Sequence, residues 1–109
     1  MAYDEDLANR LREATSAERG VTEKRMFGGL AFLIHGHLAV SASGRGGLLL
    51  RVDPAKADAL LSEPHVRPFV MRGRELNGWL HVDTDKIDDA NFERLVNHGI
   101  AYARSLPPK

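Results

Sequence analysis

The chain has 109 residues, 43 % of them apolar and 28 % charged, with fifteen basic against fifteen acidic side chains and no cysteine. That is enough for one domain with its own core and too apolar for a disordered chain. The missing cysteines exclude a disulfide scaffold, a thiolate nucleophile and a cysteine-held zinc or iron–sulfur centre.

The opening "MAYDEDLANRL" is acidic, unlike a secretory signal, and no apolar run approaches the roughly 20 residues that span a bilayer. A cytoplasmic, non-membrane protein is expected. Charge is uneven along the chain: residues 1–23 hold six acids and three bases, residues 24–81 eight bases and four acids. The middle therefore presents a modest positive field, while overall neutrality argues against strong nucleic-acid binding.

In chain order, the first helix is expected over residues 4–18. Leu7, Leu11 and Ala14 share one face, Ala8 widens it, and Asp4, Glu5 and Asp6 suit its positive N-terminal end. Gly20 is the expected stop. The next stretch favours extended structure: a strand near 24–34, a turn at "HGH", a strand near 38–43, a turn at "GRGG" and a strand near 47–52. Strands joined this closely imply an antiparallel meander. A helix is expected at 54–61, with Pro54 in its first turn. "FVMRGRELNGWLHV" reads as a second hairpin bending at "RGR". A last helix should run from about Asp89 to Arg104, capped by Asp88 or Asp89, with Phe92, Leu95, Val96, Gly99 and Ala103 on its packing face. The fold class is α+β: an antiparallel sheet with helices on one face, in a single domain over residues 1–109.

The blocks "VTEKRMFGGLAF", "GHLAV", "VRPF", "GRELNGWLHV" and "YARSLPPK" occur in the order of the TfoX/Sxy N-terminal domain family, which the chain resembles along essentially its whole length. The resemblance implies a two-layer α+β fold of the YgaC/TfoX-N-like kind and a small regulatory interaction module that influences transcription through a protein partner. Some longer relatives regulate natural competence and carry a separate C-terminal domain, so competence regulation is not carried over to this chain. Met26, Phe27, Gly28, Gly29, Gly78 and Trp79 carry the family-like motifs.

The residues themselves keep other readings open. "MFGG" is neither a dinucleotide fingerprint nor a phosphate loop; its glycines fit a bulge or close packing better than ligand approach. Lys24 and Arg25, joined by Arg67, Arg72 and Arg74, are the candidate binding residues, since arginine forks match carboxylates and phosphates. Against that stands solvation, or pairing with Glu23 and Glu75. His35 and His37 could begin a metal site, but no ligand series completes it, and neither a metal nor a cofactor is expected. Ser41 and Ser43 read as the polar face of a strand. The Asp83, Asp85, Asp88 and Asp89 series reads as a turn and helix start, and Trp79 as core before interface. No catalytic residues are assigned. A weak, salt-sensitive nucleic-acid binder is the second function, and an enzyme using a histidine and a carboxylate from distant segments the third. A homodimer through an open sheet edge is also expected.

Overall fold

The computed structural model describes residues 3–26 and 28–108, and the side chains of all of these but Lys86. Phe27, in the middle of the "MFGG" motif, lies outside them. Helix α1 spans Glu5–Ala14, shorter than the 4–18 expected. Its N-cap Asp4 accepts from the backbone N–H groups of Asp6 and Leu7 at 2.9 and 3.2 Å. The packing face also differs from expectation. Leu7, Ala8 and Leu11 are buried, but the next buried residue is Thr15, whose hydroxyl donates to the Leu11 carbonyl at 2.9 Å. Ala14 is exposed and lines an open groove with Arg10, Asp89 and Phe92.

The extended stretch expected at 24–34 is two strands, β1 (Val21–Met26) and β2 (Gly29–Ile34), paired antiparallel from Met26 with Gly29 to Val21 with Ile34. Met26 and Gly29 of the "MFGG" motif thus end one strand and begin the next, and do not lie inside a single strand. Strand β3 (His37–Ala42) follows through His35 and Gly36, both at positive φ (51° and 87°), as a two-residue I′-type turn requires. Strand β4 (Leu48–Arg51) completes a four-stranded meander. Helix α2 (Pro54–Leu61) then carries the chain across to β5 (Val66–Met71), and the tight turn at Arg72–Gly73 returns it as β6 (Arg74–Val82). The sheet order is β1-β2-β3-β4-β6-β5, with every neighbouring pair antiparallel. Strand β5 is therefore an edge, the position where Pro68 removes no ladder hydrogen bond. Its register breaks between Pro68 and Val70.

Helix α3 (Asp89–Ser105) starts at Asp88, whose carboxylate accepts from the Asn91 N–H at 2.7 Å. It packs Phe92, Leu95, Val96, Gly99, Ile100 and Ala103 toward the sheet. The expected two-layer α+β architecture is present: three helices cover one face, and Phe32, Ile34, Leu48, Leu50, Leu80 and Leu95 are among the fully buried side chains between the layers.

The aromatic side chains do not build one core. Phe32 belongs to the main core, but Phe69 is buried on the opposite sheet face with Ala31, Leu38 and Leu49, flanked by half-buried Met26, Leu33, Met71, Leu76 and Trp79. Leu48, Leu49 and Leu50 are all buried because β4 is covered on both faces, which the continuous apolar run anticipates only in retrospect.

Candidate functional site

The β1–β2 turn packs against the β3–β4 turn through bare backbone. A β-carbon added at Gly44 would stand 2.5 Å from the Gly28 carbonyl oxygen, and Gly28 itself sits at φ 76°. The glycines of "MFGG" therefore allow two turns to interlock, as the packing reading of the motif expects. Gly78, at φ 82°, serves similarly: its carbonyl accepts from the Val52 N–H at 2.8 Å, drawing β6 onto the end of β4.

Next to the interlocked turns, the second sheet face holds a cavity of about 140 Å³. It is lined by Met26, Ser41, Ser43, Arg45, Leu49, Phe69 and Met71. Met26 ends β1 and Met71 ends β5, so strands at opposite ends of the sheet order converge on one space. Arg45, in the β3–β4 turn, closes it: its Nη1 donates to the Val70 carbonyl at 2.9 Å, and its guanidinium lies 5.7 Å from the Phe69 ring centroid. Ser41 and Ser43, expected on the polar face of a strand, are only 2 % and 7 % exposed. The β5 strand and the Arg45 turn cover them. The Ser41 hydroxyl donates to the Leu30 carbonyl at 3.0 Å, and Ser43 Oγ accepts the Arg45 N–H at 3.1 Å.

The candidate basic residues come from different strands: Lys24 and Arg25 lie on β1, the first strand of the sheet order, Arg67 on β5, the last, Arg72 in the β5–β6 turn and Arg74 on β6. Register also separates Lys24 from Arg25. Lys24 opposes Ala31 of the second face, whereas Arg25 opposes Leu30 of the helix-covered face. Glu23 is engaged elsewhere: its carboxylate takes a two-pronged contact from Arg12 of α1, both N···O distances 2.8 Å. That hydrogen bond lowers the Glu23 pKa below the usual carboxylate value and raises that of Arg12.

Trp79 is half-buried against the second cluster, its ring centroid 6.3 Å from that of Phe69. Arg51, its cross-strand partner, places its guanidinium 5.5 Å from the rings of both Trp79 and Tyr102, tying α3 to the end of the sheet. Two of the histidines contact backbone: His37 Nε2 donates to the Pro107 carbonyl at 2.6 Å and His81 Nε2 to the Gly46 carbonyl at 2.7 Å. Among the described residues no three His, Asp or Glu side chains are grouped to hold a metal ion, and no helix is long and apolar enough to cross a membrane. Asp83 caps a short 3-10 turn through the Asp85 N–H, Asp88 caps α3, and Asp89 pairs with Arg10 at 3.1 Å, so the aspartate series is a turn and helix start.

Arg45 is the site residue that sequence reasoning missed. Its signal is present as a lone cation inside the glycine-rich turn "SGRGG", but contact with Val70, 25 positions away, is invisible in the spacing. No curated protein and no solved structure shows significant similarity to the chain. The family model of the TfoX N-terminal domain matches residues 13–103, from the end of α1 through nearly all of α3. With this match spanning the whole sheet and both interlocked glycine turns, the chain belongs to the TfoX N-terminal domain family.

Proposed function

We propose that the domain is a regulatory interaction module that reaches transcription through a protein partner, and that the partner docks along the outer edge of β1. The observation that carries this reading is the contrast between the two sheet edges. Strand β1 ends the sheet with residues 22–25 all exposed. An unpaired strand edge is a template for main-chain pairing with another chain. The β5 edge is blunted: Pro68 lacks an N–H, the register breaks beside it, and Arg45 takes the Val70 carbonyl. Since Glu23 is paired with Arg12, Lys24 and Arg25 dominate the open edge and favour an extended segment rich in acids.

Affinity capture from cells followed by binding of the purified pair tests this. A Lys24→Glu/Arg25→Glu variant that keeps its folded spectrum should lose at least about tenfold in affinity, the scale of one or two charge-assisted contacts. Reproducible absence of a specific partner with folded protein, or a partner indifferent to the charge reversal, defeats the reading.

The same edge supports self-pairing. An antiparallel β1–β1 pair about a two-fold axis would continue the sheet across the open edge. Light scattering over a wide concentration range decides it; a constant mass near 12.0 kDa rules the dimer out. Nucleic-acid contact should be weak and lost with added salt, because the chain carries fifteen acidic against fifteen basic side chains.

A further inference from the structure

The geometry points to a binding site for a small monocarboxylate with an apolar body in the cavity closed by Arg45. This site lies on the second sheet face and is independent of the partner reading at the β1 edge. Its volume, about 140 Å³, is close to the roughly 150 Å³ that suffices to hold benzene. One side is apolar, with Leu49, Phe69, Met26 and Met71, and the two thioether side chains can adjust to a ligand's shape. The other side is polar, with Ser41, Ser43 and Arg45.

Arg45 sets the sign of the ligand. Among the described residues it pairs with no carboxylate, and none lines the cavity. Its guanidinium carries five N–H donors, and Val70 takes one of them. The rest of the fork can accept a carboxylate in two-point fashion. Ser43 Oγ receives the Arg45 N–H, which leaves its own O–H to donate to the same anion. Lys24, on the same sheet face by register, adds to the positive field. A doubly charged phosphate fits poorly, since half of the wall would desolvate it without a donor. A cation would meet Arg45.

Sodium benzoate is the probe, and benzyl alcohol, of the same size but uncharged, is the control. Each is titrated at constant ionic strength against the ¹⁵N-labelled protein, following amide shifts. Benzoate should move the amides of residues 41–47 and 69–71 saturably, with a Kd of about 1–10 mM, ordinary for a ligand of this size. Benzyl alcohol should bind about tenfold more weakly or not at all. Arg45→Gln should weaken benzoate by about tenfold, and Arg45→Lys, which keeps the charge without the fork, by less. If Arg45→Gln loses its folded spectrum, Arg45→Lys and the wild-type comparison of the two probes carry the test. Absence of saturable shifts in that patch overturns the site, as does an equal response to benzyl alcohol or unchanged affinity in a folded Arg45→Gln protein.

Discussion

Gly29 of β2 leaves no room for a side chain against Ala42 of β3: a β-carbon built on it overlaps the Ala42 carbonyl oxygen and stands 2.9 Å from the Gly44 nitrogen. All of the obstructing atoms are backbone, so relief would require moving the β2–β3 pair or the turn beside it. Gly29→Ala should therefore destabilise the domain by about 1–3 kcal/mol, the range for overpacking a tight site. Urea unfolding measures it. A change within about 0.3 kcal/mol of wild type would mean that the hairpin gives way easily, since surface substitutions away from such features stay near that size.

Gly99 poses a contest between two opposed effects. In a helix interior alanine is favoured over glycine by about 0.8–1.0 kcal/mol. A β-carbon at Gly99 would, however, stand 2.5 Å from the Ala39 carbonyl oxygen and 2.7 Å from Leu50 Cδ1. Leu50 can rotate; the β3 backbone, held on both sides by its neighbours, cannot. Gly99→Ala should cost a net 1–2 kcal/mol or about that, despite the better helix former, because overpacking of this kind outweighs propensity. A stabilised variant in thermal or chemical unfolding would show that α3 stands off the sheet more readily than this geometry implies.

Arg72 occupies the first position of the β5–β6 turn at φ 53°, followed by Gly73 at φ 75°. Such turns prefer Asn-Gly, because asparagine tolerates the left-handed region that costs other side chains about 1 kcal/mol. Arg72→Asn should raise stability by about 0.5–1 kcal/mol. The same variant separates roles: if Arg72 contributes to binding, partner affinity should fall while the unfolding midpoint rises.

The Arg12–Glu23 contact predicts a pH dependence of defined sign. The folded-state pKa of Glu23 is depressed, first by the hydrogen bond from Arg12. Its contribution to stability is therefore fully present above the ordinary carboxylate value of about 4.3 and lost as pH falls through the lower, folded value. Glu23→Gln should be less stable than wild type at neutral pH, by an amount that shrinks toward zero in acid. Both side chains are well exposed, so the effect is small and screened by salt. Unfolding curves of the two proteins between pH 3 and 7 at two salt concentrations would check it; a gap that widens in acid contradicts the assignment.

Much of the fold was legible because local chemistry sets it. Pro54 and Asp53 mark the start of α2, Asp88 starts α3, and the apolar positions from Phe92 to Ala103 repeat at helical spacing. "HGH" and "RGR" were correctly read as turns, since a glycine beside a residue able to take positive φ is a local requirement. The split of residues 24–34 was missed. An apolar run with two glycines satisfies either a bulged strand or a hairpin, and only pairing with β3 distinguishes them. Ser41, Ser43 and Arg45 were misread or overlooked for the same kind of reason. Alternation along β3 gives the face a residue occupies but not what covers that face.

The sequence by itself determined the family, the α+β class, the helices and the turns, because capping, periodicity and φ preferences act over a few residues. Only the tertiary structure decided that β1 is the open edge, that β1 and β5 are the first and last strands of the sheet order, and that Met26 and Met71 nonetheless face one cavity. Those relations depend on strand order and on contacts such as Arg45 with Val70, which join segments distant in the chain. No local rule encodes them, since they follow from how the sheet as a whole buries its two faces.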